Sequence, residues 1–417
     1  MKAEKKKLIS VIDIGTSKVT TLIGELKGDG TVGLLGVGVA PSEGVKKGIV
    51  TDMDKTAESI YQSVNAAEKE AGQVMVSAII GITGDHVAAN TSRGFTKVAD
   101  PSKGVSAEDM RRAVESASRL LLPPDKQVVG IVEQDFSVDG HGGIRYPQGM
   151  SGGKLEVEVQ IVTAATASVQ NLARCIGKLK IDIESYELAS MASGEAVLNE
   201  DEKEIGTVLI DFGAGTTEVA VFRNKLLRKA RVFPVGSRHI DNDIALVLCT
   251  SAREAERLKL EYGMAYVDDS VGSEPVMLEH VGGEKKAQIP RGHLCEIIYD
   301  RVFELFKLIA HDLETDMPMS LTPTGVVLTG GGSQLPGITR VAEQVLGMNV
   351  RIGKPLYTGD HADQVSGPEF STPVGLLRIA ARNAMHRTVA AGSEGFSARR
   401  MLNEATSFLR GLFNKID

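Results

Sequence analysis

Two stretches of this 417-residue chain echo one another about half a chain apart. Residues 8–23 read LISVIDIGTSKVTTLI and residues 208–222 read VLIDFGAGTTEVAVF. Each is an apolar run, then Asp-x-Gly, then a small polar tetrad, then a second β-rich run. That pattern predicts two strands joined by a tight turn. Its glycines let a ligand approach the backbone closely. The same device used twice predicts two related lobes. Strand and helix patterns alternate around both copies, which places the chain in the α/β class. QVMVSAIIGITG (73–84) reads as a buried strand, and 166–179 and 296–313 read as amphipathic helices.

The two hairpins suit phosphate. In Asp13-Ile-Gly15-Thr16-Ser17-Lys18 the turn can aim backbone N–H groups and hydroxyls at phosphate oxygens. Lys18 would neutralise a β- or γ-phosphate. Asp13 would hold Mg²⁺ through water, which this ion sheds reluctantly. Asp211, Gly213, Ala214, Gly215, Thr216 and Thr217 repeat the logic from the other lobe. Either hairpin alone reads as an ordinary turn; the pair facing each other is what would clamp a triphosphate. A third element, Gly330-Gly331-Gly332-Ser333, follows a strand pattern (324–332) and precedes a helix pattern (337–347). Three glycines there admit a flat ligand, and the helix start favours anions. In the helix from Ser251, Glu256 and Lys259 share one face. They either bracket a ribose or adenine edge or form a solvated ion pair. No GxxxxGK[ST] loop and no HExxH pair occurs.

Composition excludes other readings. Net charge is −7 (47 Lys+Arg against 54 Asp+Glu), which argues against a general nucleic-acid binder. Aromatics are 4% and Trp is absent, too few for a base-stacking platform. Three scattered cysteines, Cys175, Cys249 and Cys295, make no disulfide framework. No run of about 18 apolar residues exists to span a bilayer. The terminal segment is different. Phe408, Leu409, Leu412, Phe413 and Ile416 fall on one helical face, with Arg410, Asn414 and Lys415 opposite. So short a helix is marginal in water and needs a surface. That surface is a membrane interface, the protein's own body or a partner. Residues 386–404 before it read as a linker.

These motifs together resemble the actin/Hsp70/sugar-kinase superfamily, and within it the FtsA family of bacterial cell-division proteins. VIDIGTSKV, GVKKGIVTDMD, PQGMSGGKLEVEVQIVTA, VLIDFGAGTTEVAVF, VVLTGGGSQLPG and VRIGKPL each look like the family's segments, in its order. The resemblance covers essentially the whole chain. It implies an actin-like two-lobed ATPase fold with ATP in the cleft. Subdomain 1A would comprise 1–84 and 163–200, with a subdomain 1C inserted at 85–162. Subdomain 2A would comprise 201–228 and 301–385, and 2B 229–300. The linker 386–404 would lead to a membrane-targeting helix at 405–417. By the same resemblance the ATP contacts are Gly15 to Lys18, Gly213 to Thr217, Gly236, Glu256 with Lys259, and Gly330 to Ser333. Mg²⁺ would sit near Asp13 and Asp211. The implied partners are the FtsZ C-terminal tail on 2B, further copies of the chain in filaments, later division proteins on 1C, and anionic lipid at the inner face of the cytoplasmic membrane. Arg291 and Arg301 are candidates for the tail, because an acidic motif needs basic contacts. The second loop departs from the family's usual Asp-Ile-Gly-Gly-Gly-Thr-Thr-Asp at Phe212, Ala214 and Glu218. Glu187 stands where some relatives carry a water-orienting carboxylate; equally it is an exposed residue starting a helix. ATP is expected as a structural ligand and switch, with slow hydrolysis at most. The rivals are a small-molecule kinase of the superfamily and an adaptor of the PilM or MreB kind.

Overall fold

The computed structural model describes residues 7–119, 121–266, 272–281, 286–316 and 322–392. The first lobe opens with β1 (Lys7–Ile14), β2 (Lys18–Leu26) and β3 (Val32–Pro41). A small hairpin follows, β4 (Val45–Lys46) with β5 (Ile49–Val50), then α1 (Met53–Ala71) and β6 (Ser77–Ile82). Asp52 caps α1, its carboxylate accepting from the N–H groups of Asp54 and Lys55. The chain then leaves the lobe for β7 (Ala88–Lys97), α2 (Ala107–Ser118), β8 (Lys126–Val138), β9 (His141–Ile144) and β10 (Lys154–Ala165). It returns through α3 (Thr166–Gly177), β11 (Asp182–Leu188), α4 (Ala189–Val197) and α5 (Glu200–Ile205).

The second lobe repeats the opening with β12 (Thr207–Phe212), β13 (Thr217–Arg223) and β14 (Leu226–Phe233). After them come α6 (Ser237–Val247), α7 (Ala252–Tyr262), the hairpin β15 (Pro275–Glu279) with β16 (Lys286–Pro290), and α8 (Arg291–Asp316). The lobe closes with β17 (Val326–Thr329), a 3₁₀ turn (Gly331–Gln334), α9 (Ile338–Leu346) and β18 (Val350–Ile352). Finally α10 (Ser371–Gly392) crosses back to pack on β1 and α4.

The internal echo is a topological repeat. One sheet runs β11-β6-β1-β2-β3 and the other β18-β17-β12-β13-β14. In both, the first three strands are parallel and the last two are added as antiparallel hairpins. Asp13 pairs with Thr20 across the first hairpin, and Asp211 with Glu218 across the second. Both Asp-Gly turns therefore stand at the carboxyl ends of central strands, where open α/β sheets bind ligands. The first lobe's core runs on through α4 and α10 to Ala220, Phe222 and Val327 of the second lobe, so a packed floor lies beneath the cleft.

The excursion has its own sheet, β7-β10-β8-β9, and its own core around Val114, Phe136, Leu155 and Ile161. A capping box starts α2: Asp109 N–H donates to Ser106 Oγ at 3.1 Å, and Ser106 N–H donates to Asp109 Oδ2 at 2.9 Å. One expectation is corrected. The linker read from 386 begins as helix, because α10 continues to Gly392. The Ala- and Arg-rich run before that glycine contains no helix breaker. The predicted terminal helix, with Phe408, Leu409, Arg410, Leu412, Phe413, Lys415 and Ile416, lies outside the described residues. Among the described residues no helix is long and apolar enough to cross a membrane.

Candidate functional site: a cleft between two phosphate-type hairpins

The two turns close identically. Gly15 N–H donates to Lys18 O at 3.0 Å, and Gly213 N–H donates to Thr216 O at 3.0 Å. They meet head to head: a Cβ on Gly215 would run into the Thr16 side chain. Between them lies a cleft of about 480 Å³, a size ordinary for a small-ligand site. Its walls include Gly15, Thr16, Ser17 and Lys18 from one lobe and Gly213, Ala214, Gly215 and Thr216 from the other. Gly330, Gly331, Gly332, Glu256 and Lys259 line it too, so all three predicted segments converge. Gly330 holds φ +83°, which a side chain would strain, and a Cβ on Gly332 would run into the Phe212 ring.

The second turn is braced from below by the start of α6. Ser237 N–H donates to Gly213 O and Arg238 N–H to Ala214 O, both at 2.9 Å. Gly236 makes this possible, since a Cβ there would stand 2.5 Å from the Ala214 carbonyl. Gly236 is thus a support, and it is not on the cleft wall. Two more predicted contacts are supports. Thr217 Oγ1 donates to Val235 O at 2.7 Å, and Ser333 Oγ donates to Gly330 O at 2.7 Å.

The charges are divided. Lys18 is half-buried, its ammonium 3.7 Å from the centre of the Phe370 ring. Burial lowers its pKa, with Glu369 and Asp13 opposing. On the cleft wall with Lys18 stand three carboxylates, Asp13, Asp211 and Glu218, while Lys259 and Arg238 also line the cleft. Burial, then Asp211, push Asp13 up to about 7, with Lys18 opposing. Burial, then Asp211, push Glu218 up to about 8. Burial also raises Asp211, against hydrogen bonds from Ser193 and Thr372. No hydrogen bond reaches Glu218 Oε2, which is buried. Sequestered acids that raise one another's pKa make a site that a cation would relieve. Among the described residues no group of three His, Cys, Asp or Glu is arranged to ligate a metal directly. The unpartnered buried oxygen of Glu218, beside Asp211, is the feature that a divalent ion keeping its water would fit.

Lys259 is not paired with Glu256. Its ammonium lies 2.7 Å from Asp241 Oδ1, both side chains nearly buried, while Glu256 stays exposed on the rim. Burial raises the Asp241 pKa and Lys259 opposes it. Asp241 also lines the cleft, as do Thr83, Glu369 and Thr372. None of these four was legible as a site residue, because each comes from a segment with no motif of its own. Glu187 takes a different place. It is half-buried near the end of β11, pairs with Gly81 and accepts from Ser185 Oγ at 3.4 Å, away from the cleft lining. Arg291 and Arg301 are engaged within the chain. Arg291 pairs with Glu274 at 2.7 Å, and Arg301 makes a forked pair with Asp243 at 2.5 and 2.9 Å.

The family model described as Cell division protein FtsA matches residues 208–375, and that of the SHS2 domain inserted in FTSA matches 84–163. The chain is 38% identical over 380 residues to cell division protein FtsA of Neisseria meningitidis serogroup B, covering 91% of each. With that of Bacillus subtilis it shares 37% over 373 residues, covering 89% of this chain and 83% of the relative. Among solved structures it is similar to the PilM-PilN type IV pilus biogenesis complex (TM-score 0.65, 17% identity, 89% of this chain and 98% of that one). It is also similar to MreB 5 of Spiroplasma citri bound to AMPPNP (TM-score 0.56, 12% identity, 94% and 100%). The fold is actin-like, and the chain belongs to the FtsA family of cell-division proteins.

Proposed function

We propose that this protein is an ATP-binding, actin-like scaffold that tethers FtsZ polymers to the cytoplasmic face of the inner membrane at the division site. In this reading it self-associates into filaments and helps recruit later division proteins through the inserted subdomain. The observation that carries the nucleotide part is the meeting of two identical Asp-Gly turns across one cleft, with Lys18 on one side and Asp211 and Glu218 on the other. Backbone N–H groups of Thr16 and Ser17 and of Ala214 to Thr216 would take the phosphates, with Lys18 countering their charge. Asp13, Asp211 and Glu218 would hold a hydrated Mg²⁺, which supplies charge neutralisation when bound. Gly330 to Gly332, Glu256 and Lys259 would seat the nucleoside.

The membrane part rests on the amphipathic pattern of 405–417. Phe408, Leu409, Leu412, Phe413 and Ile416 would enter the interface while Arg410 and Lys415 face anionic lipid. A single short helix binds reversibly, so stable attachment needs several chains in one filament. Because Arg291 and Arg301 are paired within the chain, a bound FtsZ tail would have to compete with Glu274 and Asp243 for them. A metabolite kinase of the same fold would need a base in the cleft, and Glu187 is not on its lining.

Liposome sedimentation of the full chain and of a chain lacking 406–417, with and without ATP-Mg²⁺ and an FtsZ tail peptide, tests the reading. The full chain should pellet with anionic liposomes and carry the peptide down; the shortened chain should stay in the supernatant. Equal pelleting of the two would end the tether idea.

A further inference from the structure

Asp211 is gripped by two residues that no motif includes. Its Oδ2 accepts from Ser193 Oγ in a very short contact and from Thr372 Oγ1 at 3.2 Å. The two hydroxyls are 2.9 Å apart. Each hydroxyl has one proton to give. Ser193 Oγ also lies 3.1 Å from Ala189 O, but its much shorter contact is to Asp211, and Thr372 donates either to Asp211 directly or to Ser193 beside it. With Oδ2 engaged, Oδ1 is left beside Gly330, whose missing side chain makes the room.

The grip joins three elements. Asp211 is the penultimate residue of β12 in the second lobe, Ser193 is on α4, and Thr372 is in the first turn of α10. Those two helices cross backbone to backbone, since a Cβ on Gly375 would run into the Ala192 carbonyl. Ser193 and Thr372 are thus presented from a crossing that has little room to shift.

We infer that Ser193 and Thr372 are positioning residues that fix the Asp211 carboxylate so that its free oxygen serves the hydrated divalent cation accompanying the nucleotide. The inference rests on the nucleotide and cation reading above. Hydroxyls that aim a carboxylate at a metal's water act as a second shell, and removing such a partner typically weakens metal binding tenfold or more.

Titration calorimetry of ATP into the full chain, with Mg²⁺ and with EDTA, tests this on Ser193→Ala, Thr372→Val and Thr372→Ser. The unsubstituted protein should bind ATP more tightly with Mg²⁺. Ser193→Ala and Thr372→Val should each cut that Mg²⁺-dependent gain about tenfold, and Ser193→Ala, which lies off the cleft wall, should leave the affinity in EDTA within about twofold. Thr372→Ser, which keeps the hydroxyl, should retain the gain. A full gain in both hydroxyl-free variants overturns the positioning role. So does an equal loss with and without Mg²⁺, which would mean general packing. If the unsubstituted protein binds ATP without any Mg²⁺-dependent gain, the cation reading itself falls and takes the positioning role with it. Thermal melting without nucleotide identifies a variant that has not folded, and then Thr372→Ser against the unsubstituted protein decides: a lost gain there overturns the role.

Discussion

The two Asp-Gly hairpins share a backbone and divide the chemistry. Both close by the same 3.0 Å bond, and both place an aspartate next to last in a central strand. In the first, the residue opposite the aspartate is Thr20, and the turn ends on Lys18 over the Phe370 ring. In the second, the residue opposite is Glu218, and the turn is bolted to α6 through Ser237 and Arg238. One hairpin brings a positive charge on a side chain. The other brings a rigid backbone cradle and concentrated negative charge. A duplicated strand–turn–strand can thus serve opposite halves of an anion–cation pair once the residues flanking the turn diverge.

The sharpest way to break the rigid half is Gly236→Ala. Its methyl would stand 2.5 Å from the Ala214 carbonyl and 2.7 Å from Gly215 N, both backbone atoms that no rotamer can move. The turn or α6 must shift, at a cost of about 1–3 kcal/mol in stability. Chemical denaturation should read that loss, and ATP affinity should fall at least a hundredfold. The charged half is broken by Lys18→Ala. A hydrogen-bonded charge contributes about 1.5–3 kcal/mol. ATP binding by calorimetry should therefore weaken roughly tenfold to a hundredfold, with the melting temperature barely altered. If Lys18→Ala costs stability as Gly236→Ala does, the division of labour is wrong.

The hairpins were legible because each is a local pattern, with glycines and small polar residues at fixed spacing between strand runs. The same holds for the capping box of α2 and for Gly330 to Gly332 after β17. What was not legible is pairing at long range. Lys259 finds Asp241 on another helix, and Glu256, the neighbour its spacing suggested, stays on the rim. Asp211 finds Ser193 and Thr372, 18 and 161 positions away. Arg291 and Arg301 looked available to a partner only because sequence cannot display Glu274 and Asp243 beside them. Linear order reveals turns and faces; it does not reveal which charges the fold brings together.

Glu218→Gln sharpens the comparison on the acidic side, and its sign follows from the pKa. Unfolded, Glu218 titrates near 4.5; folded, near 8. Between those values the folded chain holds a proton that the unfolded chain has lost. Its stability therefore falls as pH rises through that window and levels off above about 8. Asp13 adds a similar slope that ends near pH 7. In EDTA at pH 8, Glu218→Gln should raise stability by on the order of 1–3 kcal/mol. At pH 4 it should change little. Thermal melts at the two pH values check this, and a destabilised variant at pH 8 would mean that Glu218 is held by partners that favour its charge.

The smallest effect is expected at Ala214, where the family's loop usually has glycine. Its φ is not positive, since Ala214 is absent from the non-glycine residues in that range, so the turn asks nothing of it that alanine cannot give. Its carbonyl already accepts from Arg238 N–H at 2.9 Å, and its N–H is unaffected by the methyl group. Restoring glycine adds freedom mainly to the unfolded chain, at a cost of about 0.4–1 kcal/mol. Ala214→Gly should therefore lower the denaturation midpoint slightly and leave ATP affinity within about twofold. A large gain in affinity would show that the methyl group obstructs the phosphates, and that the second cradle works below its family's capacity. An unchanged affinity would show that the cradle is set by Gly213, Gly215 and the α6 brace, with position 214 free to vary.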